Sequence, residues 1–448
     1  MANLAYQRTG DLQKAVQQLI NNLASDSGPG TGAEAIGYTP PGTGTVGTTV
    51  AANLSQYVSV KDFGAVGNGS TDDTAAIQAA VNYVASLSGA TLYFPSGNYK
   101  TTSTISSSGS FFGLFGSGAG GATIAPTFGN ADIFSFSGNW ISVDNFLFNS
   151  ASGSFTSGYC INFSGNQGNY WINRLAINNG YRGIGFTGSA GTNTYITNSI
   201  ISNLVHYGIY YSTTYTGLAY INNLRMQCTG GTSTHAGILI QSGDTFHFSN
   251  IDISGWYWGI FILPAASGFV RNFHGTNITC DGAGRVGSSQ PSWQIDGSGA
   301  SSDVSRIRLV NCWAGSTVGA DGFYINQTND VSLVNCIAIN NGLNGIHILG
   351  SSSVGTKVDS CTVAGNSSSS SGIYSGIQVE SGANEFYLRN NICTPVGSFV
   401  TNTQKYGINI AGPTNDYYIV SGNDTHGNIT AGFNNGGTGA HTIVTPNL

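Results

Sequence analysis

The side chains able to do acid–base work are few, and most of them crowd into one stretch of the chain. There are 20 Asp+Glu, of which only Glu34, Glu380 and Glu385 are glutamates, against 14 Lys+Arg and 7 His. Between positions 279 and 303 lie Asp281, Arg285, Trp293, Asp296 and Asp303, with Asp321 and Tyr324 following and Asp244 and His247 preceding. Two carboxylates held a few ångströms apart can act as general acid and base, and the pair expected here is Asp296 with Asp321. The competing reading is that these Asp residues only satisfy backbone N–H groups in turns. His247 and His347 each stand alone on polar strands and read as surface residues. Aromatic residues make the second group, with Trp256, Tyr257 and Trp258 ahead of Phe261, and Tyr210 and Tyr211 earlier. Exposed flat rings stack on the apolar faces of sugars, so Trp293, Tyr324, Trp256 and Trp258 are the candidate glycan contacts. Outward-pointing Leu239, Phe261 and Leu263 fit a contact between copies of the chain equally well.

The background that carries these residues is unusually neutral. Of 448 residues only 8% are charged, the net charge is −6, Gly occupies 65 positions, and 40% are hydrophobic. That is enough apolar material for a large core, which argues against disorder. Without a basic excess to neutralise phosphates, a nucleic-acid partner is not expected. No run of 18 apolar residues is present, so no membrane insertion is expected, and residues 1–25 do not read as a secretory signal. The seven cysteines form no CxxC pair and read as small buried hydrophobes; neither a metal site nor a cofactor is expected.

Local elements follow from periodicity. Residues 11–24 place Leu12, Val16, Leu19 and Leu23 on one seam, predicting a short amphipathic helix that needs a partner to be stable. Residues 26–57 are rich in Gly, Pro and Thr and read as an extended neck. A helix is predicted over Thr74–Leu87, capped by Ser70 or Thr71, with Asp72 and Asp73 at the positive end of its dipole rather than in a catalytic or metal role.

Beyond residue 100 the chain repeats. One unit is Gly-apolar-x-apolar, at 183, 208, 237, 259, 322, 345, 376 and 407. A second is apolar-x-Asn-x, with Asn145, Asn198, Asn223, Asn250, Asn272, Asn311, Asn335 and Asn390, and with Arg174 and Ser360 in the same slot; its steps are 29, 24, 25, 27, 22, 39, 24, 25 and 30 residues. Short alternating strands at a period near 25 predict a parallel β-solenoid. Asn suits a left-handed corner, and stacked amides can bond from coil to coil. The x positions, Gly185, Tyr210, Leu239, Phe261, Gln294, Tyr324, His347, Gln378 and Asn409, are expected to form one outward column. Cys312, Cys336 and Cys361 keep step with the Asn slot and are expected to stack inside. The 39-residue step marks 279–303 as a surface insertion.

The opening VSVKDFGAVGNGSTDDTAAIQAAV (58–81) with GATLYFPSGNY (89–99) resembles the pectate-lyase-like right-handed β-helix superfamily, in the form carried by bacteriophage tailspikes. Asn68 stands where that family more often has Asp, and suits the turn as well. The resemblance implies an all-β, right-handed, single-stranded parallel β-helix with a short N-terminal helix and neck. Its parts would be a virion-attachment helix (1–25), the neck (26–57), a cap with its helix (58–100), the β-helix body (101–425) and a short tail (426–448); with only the strand-like HTIVTPNL beyond the last coil, no separate C-terminal lectin or trimerising domain is expected. It further implies a homotrimeric virion tailspike, bound to a tail or adaptor protein through residues 1–25 and acting outside the host cell on a bacterial surface polysaccharide. Depolymerisation of that glycan, by hydrolysis rather than by a lyase reaction, a purely adhesive spike, and a free polysaccharide lyase or glycoside hydrolase are the alternatives that stand beside it.

Overall fold

A computed structural model describes Lys14 and residues 36–448, except 51, 53–56, 119, 151–154, 167, 189–192, 230–234, 284–289, 300, 352, 396–400, 402 and 448. The chain divides into two compact units, Met1–Ser59 and Val60–Leu448. In the first, Gly37–Tyr38 pairs antiparallel with Thr48–Thr49. Apart from Lys14, which is helical, the seam predicted over 11–24 lies outside the described residues.

The second unit is a parallel β-solenoid. Among the described residues its strands fall into a sheet of thirteen, here sheet I, and a larger one, here sheet II. The Gly-apolar-x-apolar unit builds sheet I. Its first apolar position forms an inward column of Ile184, Ile209, Ile238, Ile260, Trp293, Phe323, Ile346, Ile377 and Ile408, each aligned with the next. The x positions align one coil to the next as expected, from Gly185 and Tyr210 through Tyr324 and His347 to Asn409. The glycine is sterically required: a Cβ on Gly208 would meet the carbonyl oxygen of Gly237 at 2.6 Å, and one on Gly376 that of Gly407 at 2.6 Å. Sheet II supplies facing columns such as Ile196, Ile221 and Phe248, or Leu309, Leu333 and Val358. Each fully buried Ile or Leu of this kind contributes about 1.5–3 kcal/mol.

The predicted Asn slot is a left-handed corner. Asn145, Arg174, Asn198, Asn223, Asn250, Asn311, Asn335, Ser360 and Asn390 all have φ between 51° and 70°. One member is corrected. Ser249 aligns with Thr276 and Ile251 with Ile278, so the residue opposite Asn250 is Asn277 (φ 54°), whereas Asn272 (φ 53°) turns an adjacent corner beside Thr245. The steps of 22 and 39 residues therefore become 27 and 34. Residues 279–281 finish a strand, and Trp293–Asp296 is a regular strand of sheet I, so the insertion is far shorter than 279–303.

Amide ladders reinforce the corners. Asn223 donates to Asn198 at 2.8 Å on the surface, while Asn341, Asn366, Gln404 and Asn428 bond in series at 2.9 Å in the interior. The seven cysteines are buried and free, and Cys312, Cys336 and Cys361 each point their thiol at a backbone carbonyl of a preceding coil.

Helix α1 (Thr74–Ser86) closes the N-terminal end, burying Ile77, Ala80, Val81 and Val84. Its Gln78 accepts from the amide of Ser106 at 2.8 Å and donates to the Ser106 carbonyl at 2.7 Å, satisfying the exposed edge of sheet I. The expected cap is corrected: Asp72 takes the Thr74 N–H at 3.0 Å, while Ser70 and Thr71 donate their amides to the Asn68 side chain. Asp73 is buried and holds the amides of Val66 and Gly67, while Asp72 is exposed and bonded by the Thr74 and Thr102 hydroxyls. At the other end, Ala431–Asn435 and Thr442–Val444 add strands to sheets I and II beyond position 425.

Replacing Asn366 by Ala removes the acceptor for two buried N–H groups of Asn341 and should cost on the order of 3 kcal/mol in denaturant unfolding. Asn223→Gly, at a surface corner where glycine tolerates the positive φ, should change stability by less than about 1 kcal/mol.

Candidate functional site

On the outward face of sheet I three titratable side chains from successive coils meet. The residue just before each unit glycine stands at the leading edge of its strand, and the x residue stands in its middle. Asp321 is a leading-edge residue and His347 is the x residue one coil later. His347 Nδ1 meets Asp321 Oδ2 at 2.9 Å and its Nε2 meets Glu380 Oε1 at 3.2 Å. One imidazole thus bridges two carboxylates from different coils.

Neighbouring amides hold the cluster. Asp321 Oδ1 accepts from the backbone and side-chain N–H of Asn344 at 2.8 and 2.9 Å. Gln378 donates to Glu380 at 3.1 Å and is itself bonded by Asn409 at 2.8 Å. Burial opposes charge on His347, but its hydrogen bonds to Asp321 and Glu380 and their charges outweigh burial and push its pKa up to about 9. The hydrogen bond from His347 is the main cause holding Glu380 below the usual range. The imidazole is therefore protonated at neutral pH. Asp321 is buried, whereas the Glu380 side chain is 41% exposed and is the carboxylate that reaches solvent.

Asp296 ends the adjacent strand and is committed to amides: Gln294 and Asn326 at 3.1 Å and the Ser298 N–H at 3.0 Å. Among the described residues no hydrogen bond joins it to Asp321. Tyr324 stands between them; burial raises its hydroxyl pKa, and the charges of Asp296 and Asp321 add to the rise. A groove of about 290 Å³ borders Asp321 and Tyr324, lined also by Gln290, Pro291 and Gln294. His347, taken from the sequence as a lone surface residue, is the centre of the cluster. Its two partners sit in different columns, so no single ladder announces it.

Two predicted glycan contacts are corrected. Trp293 is fully buried, because it fills the inward slot of Ser-Trp-Gln-Ile opposite Ile260 and Phe323 and donates to the Trp313 carbonyl at 3.2 Å. Trp256 is 1% exposed and packs inside the corner before the unit. Trp258 and Tyr324 remain half-exposed on the outward face. Trp258 lies over Phe261 with ring centres 4.9 Å apart and donates to Gln294 at 2.8 Å, which ties the aromatic strip to Asp296. Of the other carboxylates singled out, Asp303 pairs with Arg271 at 2.7 Å and Asp244 is bonded by Asn272, both holding coils together.

Residues 57–316, more than half the chain, match one protein family. The chain belongs to the rhamnogalacturonase A/epimerase, pectate lyase-like family. Among curated proteins it is 54% identical over 43 residues to the mannuronan C5-epimerase AlgE3 of Azotobacter vinelandii, a stretch that is 10% of this chain and 2% of that protein. Among solved structures, tailspike protein 3 of bacteriophage CBA120 is similar with a TM-score of 0.59 at 12% identity, covering 96% of this chain and 66% of that one. A tailspike protein mutant of E. coli bacteriophage HK620, solved with a pentasaccharide, has a TM-score of 0.61 at 13% identity, covering 96% and 86%. At these identities the two likenesses show a shared fold.

Trp293→Ala should cost about 3–5 kcal/mol of stability by opening a core cavity, while Trp258→Ala should leave unfolding within about 1 kcal/mol of wild type. His347 has a folded pKa of about 9 against 6.5 in the unfolded chain, so its contribution, on the order of 3 kcal/mol, is complete below pH 6.5 and is lost as pH rises through 9. In denaturant unfolding at pH 6, 7.5 and 9.5 the stability advantage of wild type over His347→Gln should shrink by that amount across the window, the slope from the other buried histidines and the buried cysteines being common to both proteins.

Proposed function

We propose that this chain is a phage tailspike that holds a bacterial surface polysaccharide along the outward face of sheet I. One observation carries the reading: on a neutral solenoid, a single face aligns half-exposed rings, Tyr210, Trp258, Phe261 and Tyr324, with the His347–Glu380 cluster over successive coils. Rings stack on sugar faces, and a row of them along a rigid axis suits a polymer rather than a small molecule. The shared fold with two tailspikes, one solved with an oligosaccharide, supports it. In this reading the working form is a homotrimer, residues 1–25 attach it to a tail or adaptor protein, and it acts at the exterior of the host cell.

The same cluster favours cleavage of the bound glycan as the second reading. Glu380, ionised and open to solvent, would act as the base on a water, His347 would supply a proton, and Asp321 would orient the ring. The sequence-derived acid–base pair, Asp296 with Asp321, gives way in this proposal to His347 with Glu380, and Asp321 becomes the residue that orients the imidazole. Asp296 stays bonded to Gln294, Asn326 and the Ser298 N–H in this reading.

Purified protein should adsorb to host cells and compete with phage for them. Trp258→Ala should weaken adsorption roughly 5- to 10-fold, from the loss of one ring stack. Glu380→Gln should keep adsorption within two-fold and abolish release of reducing ends, without unsaturated uronate absorbance at any stage if the reaction is hydrolysis. Adsorption without reducing ends in wild type would leave an adhesin. A monomer by light scattering at micromolar concentration would remove the trimer.

A further inference from the structure

Sheet I carries a cation that the acid–base cluster does not use. Arg182 opens the strand Arg182–Phe186, five strands of sheet I before Phe323–Asn326 and on the order of 24 Å along the axis. Its guanidinium carbon lies 5.1, 4.9 and 5.7 Å from the ring centres of Tyr159, Tyr181 and Tyr207. Its Nε donates to His206 Nδ1 at 3.3 Å, and the His206 ring packs on His235 with centres 3.5 Å apart. Its four other N–H groups have no protein acceptor among the described residues.

This sets Arg182 apart from arginines that hold coils together. Arg174 and Arg271 are paired with Asp144 and Asp303 at 2.6 and 2.7 Å, and Arg308 is paired with Asp330. The acidic group nearest the cage is Asp132, whose carboxylate is taken by the Tyr159 N–H and the Asn162 side chain, both at 2.8 Å. Segments 151–154, 189–192 and 230–234 contain no Asp or Glu. Burial, with the charges of His235 and Arg182, holds His206 down to about 3, and burial with the charge of Arg182 lowers His235. At neutral pH the cage therefore holds one positive charge. Arg182, Tyr181 and Tyr207 are half-exposed over a buried Tyr159, and the cage is continuous with the aromatic strip, since His235 faces Trp258 with ring centres 6.3 Å apart.

We propose that Arg182, caged by Tyr159, Tyr181 and Tyr207, is a subsite for the carboxylate of an acidic sugar residue. The planar fork matches two carboxylate oxygens, and a tyrosine face beside it can carry the sugar ring. A single cation with neutral histidines suits a monoanion better than a phosphate dianion. The assignment rests on sheet I being the glycan-binding face and names the class of glycan it takes.

Saturation-transfer NMR on the full-length protein tests it with defined probes. Glucuronate should receive saturation from the protein at least five-fold more strongly than glucose, and Arg182→Gln should bring the two level while the unfolding midpoint stays at the wild-type value. If the Gln variant does not fold, Arg182→Lys, which keeps the charge and loses the fork, should reduce the glucuronate signal two- to three-fold. No preference for glucuronate in wild type, or an unchanged preference in the variant, would overturn the subsite. Displacement of glucuronate by an equal concentration of inorganic phosphate would also overturn it, in favour of an unselective anion hole. Host-cell adsorption that survives Arg182→Gln in full would sink this subsite alone, whereas a wild-type protein that fails to adsorb would sink the tailspike reading and leave uronate binding standing.

Discussion

Each coil of this molecule must turn without losing the hydrogen bonds to the coils on either side, and the left-handed corner is how it does so. At φ near 54° the chain changes direction within one residue, and the strands on both sides stay in register with their neighbours. Asn tolerates that conformation and can also bond its own kind a coil away. Because the corners recur, every side chain lies in a column, and a column is what brings residues distant in sequence within hydrogen-bonding reach. The Asp321–His347–Glu380 cluster spans 59 positions of sequence and only the stacking of adjacent coils in space.

A surface with few charges gives each one more consequence. Sheet I is clothed mainly in amides, hydroxyls and rings, so its charged groups are held by hydrogen bonds from neighbouring coils rather than by a network of opposite charges. Asp296 sits among the amides of Gln294 and Asn326, and Asp321 rests on Asn344. Where a cation does meet carboxylates, at His347, burial opposes its charge, but the hydrogen bonds and charges of Asp321 and Glu380 outweigh burial and keep the ring charged well above its ordinary range. Where histidines meet a cation and each other, beside Arg182, the same burial keeps them neutral. One face thus carries a carboxylate–imidazole–carboxylate triad and, several coils away, an arginine without a carboxylate, with rings between them.

The sequence by itself determined the solenoid, the outward column from Gly185 to Asn409, the buried cysteines and nearly all of the corners. These depend on patterns inside one coil: a two-residue alternation decides in from out, and a glycine or Asn marks where the next carbonyl or corner must pass. Even the burial of Trp293 was legible there, since Ser-Trp-Gln-Ile puts it in an inward slot. The tertiary structure alone decided which of Asn272 and Asn277 continues the main corner, that Trp256 turns inward, and that His347 has Asp321 on one side and Glu380 on the other. Those outcomes depend on the alignment of one coil with the next, which follows from the length of every loop between corners. Alternation within a coil is written in adjacent residues, but contact between coils is set by how the whole stack closes its hydrogen bonds.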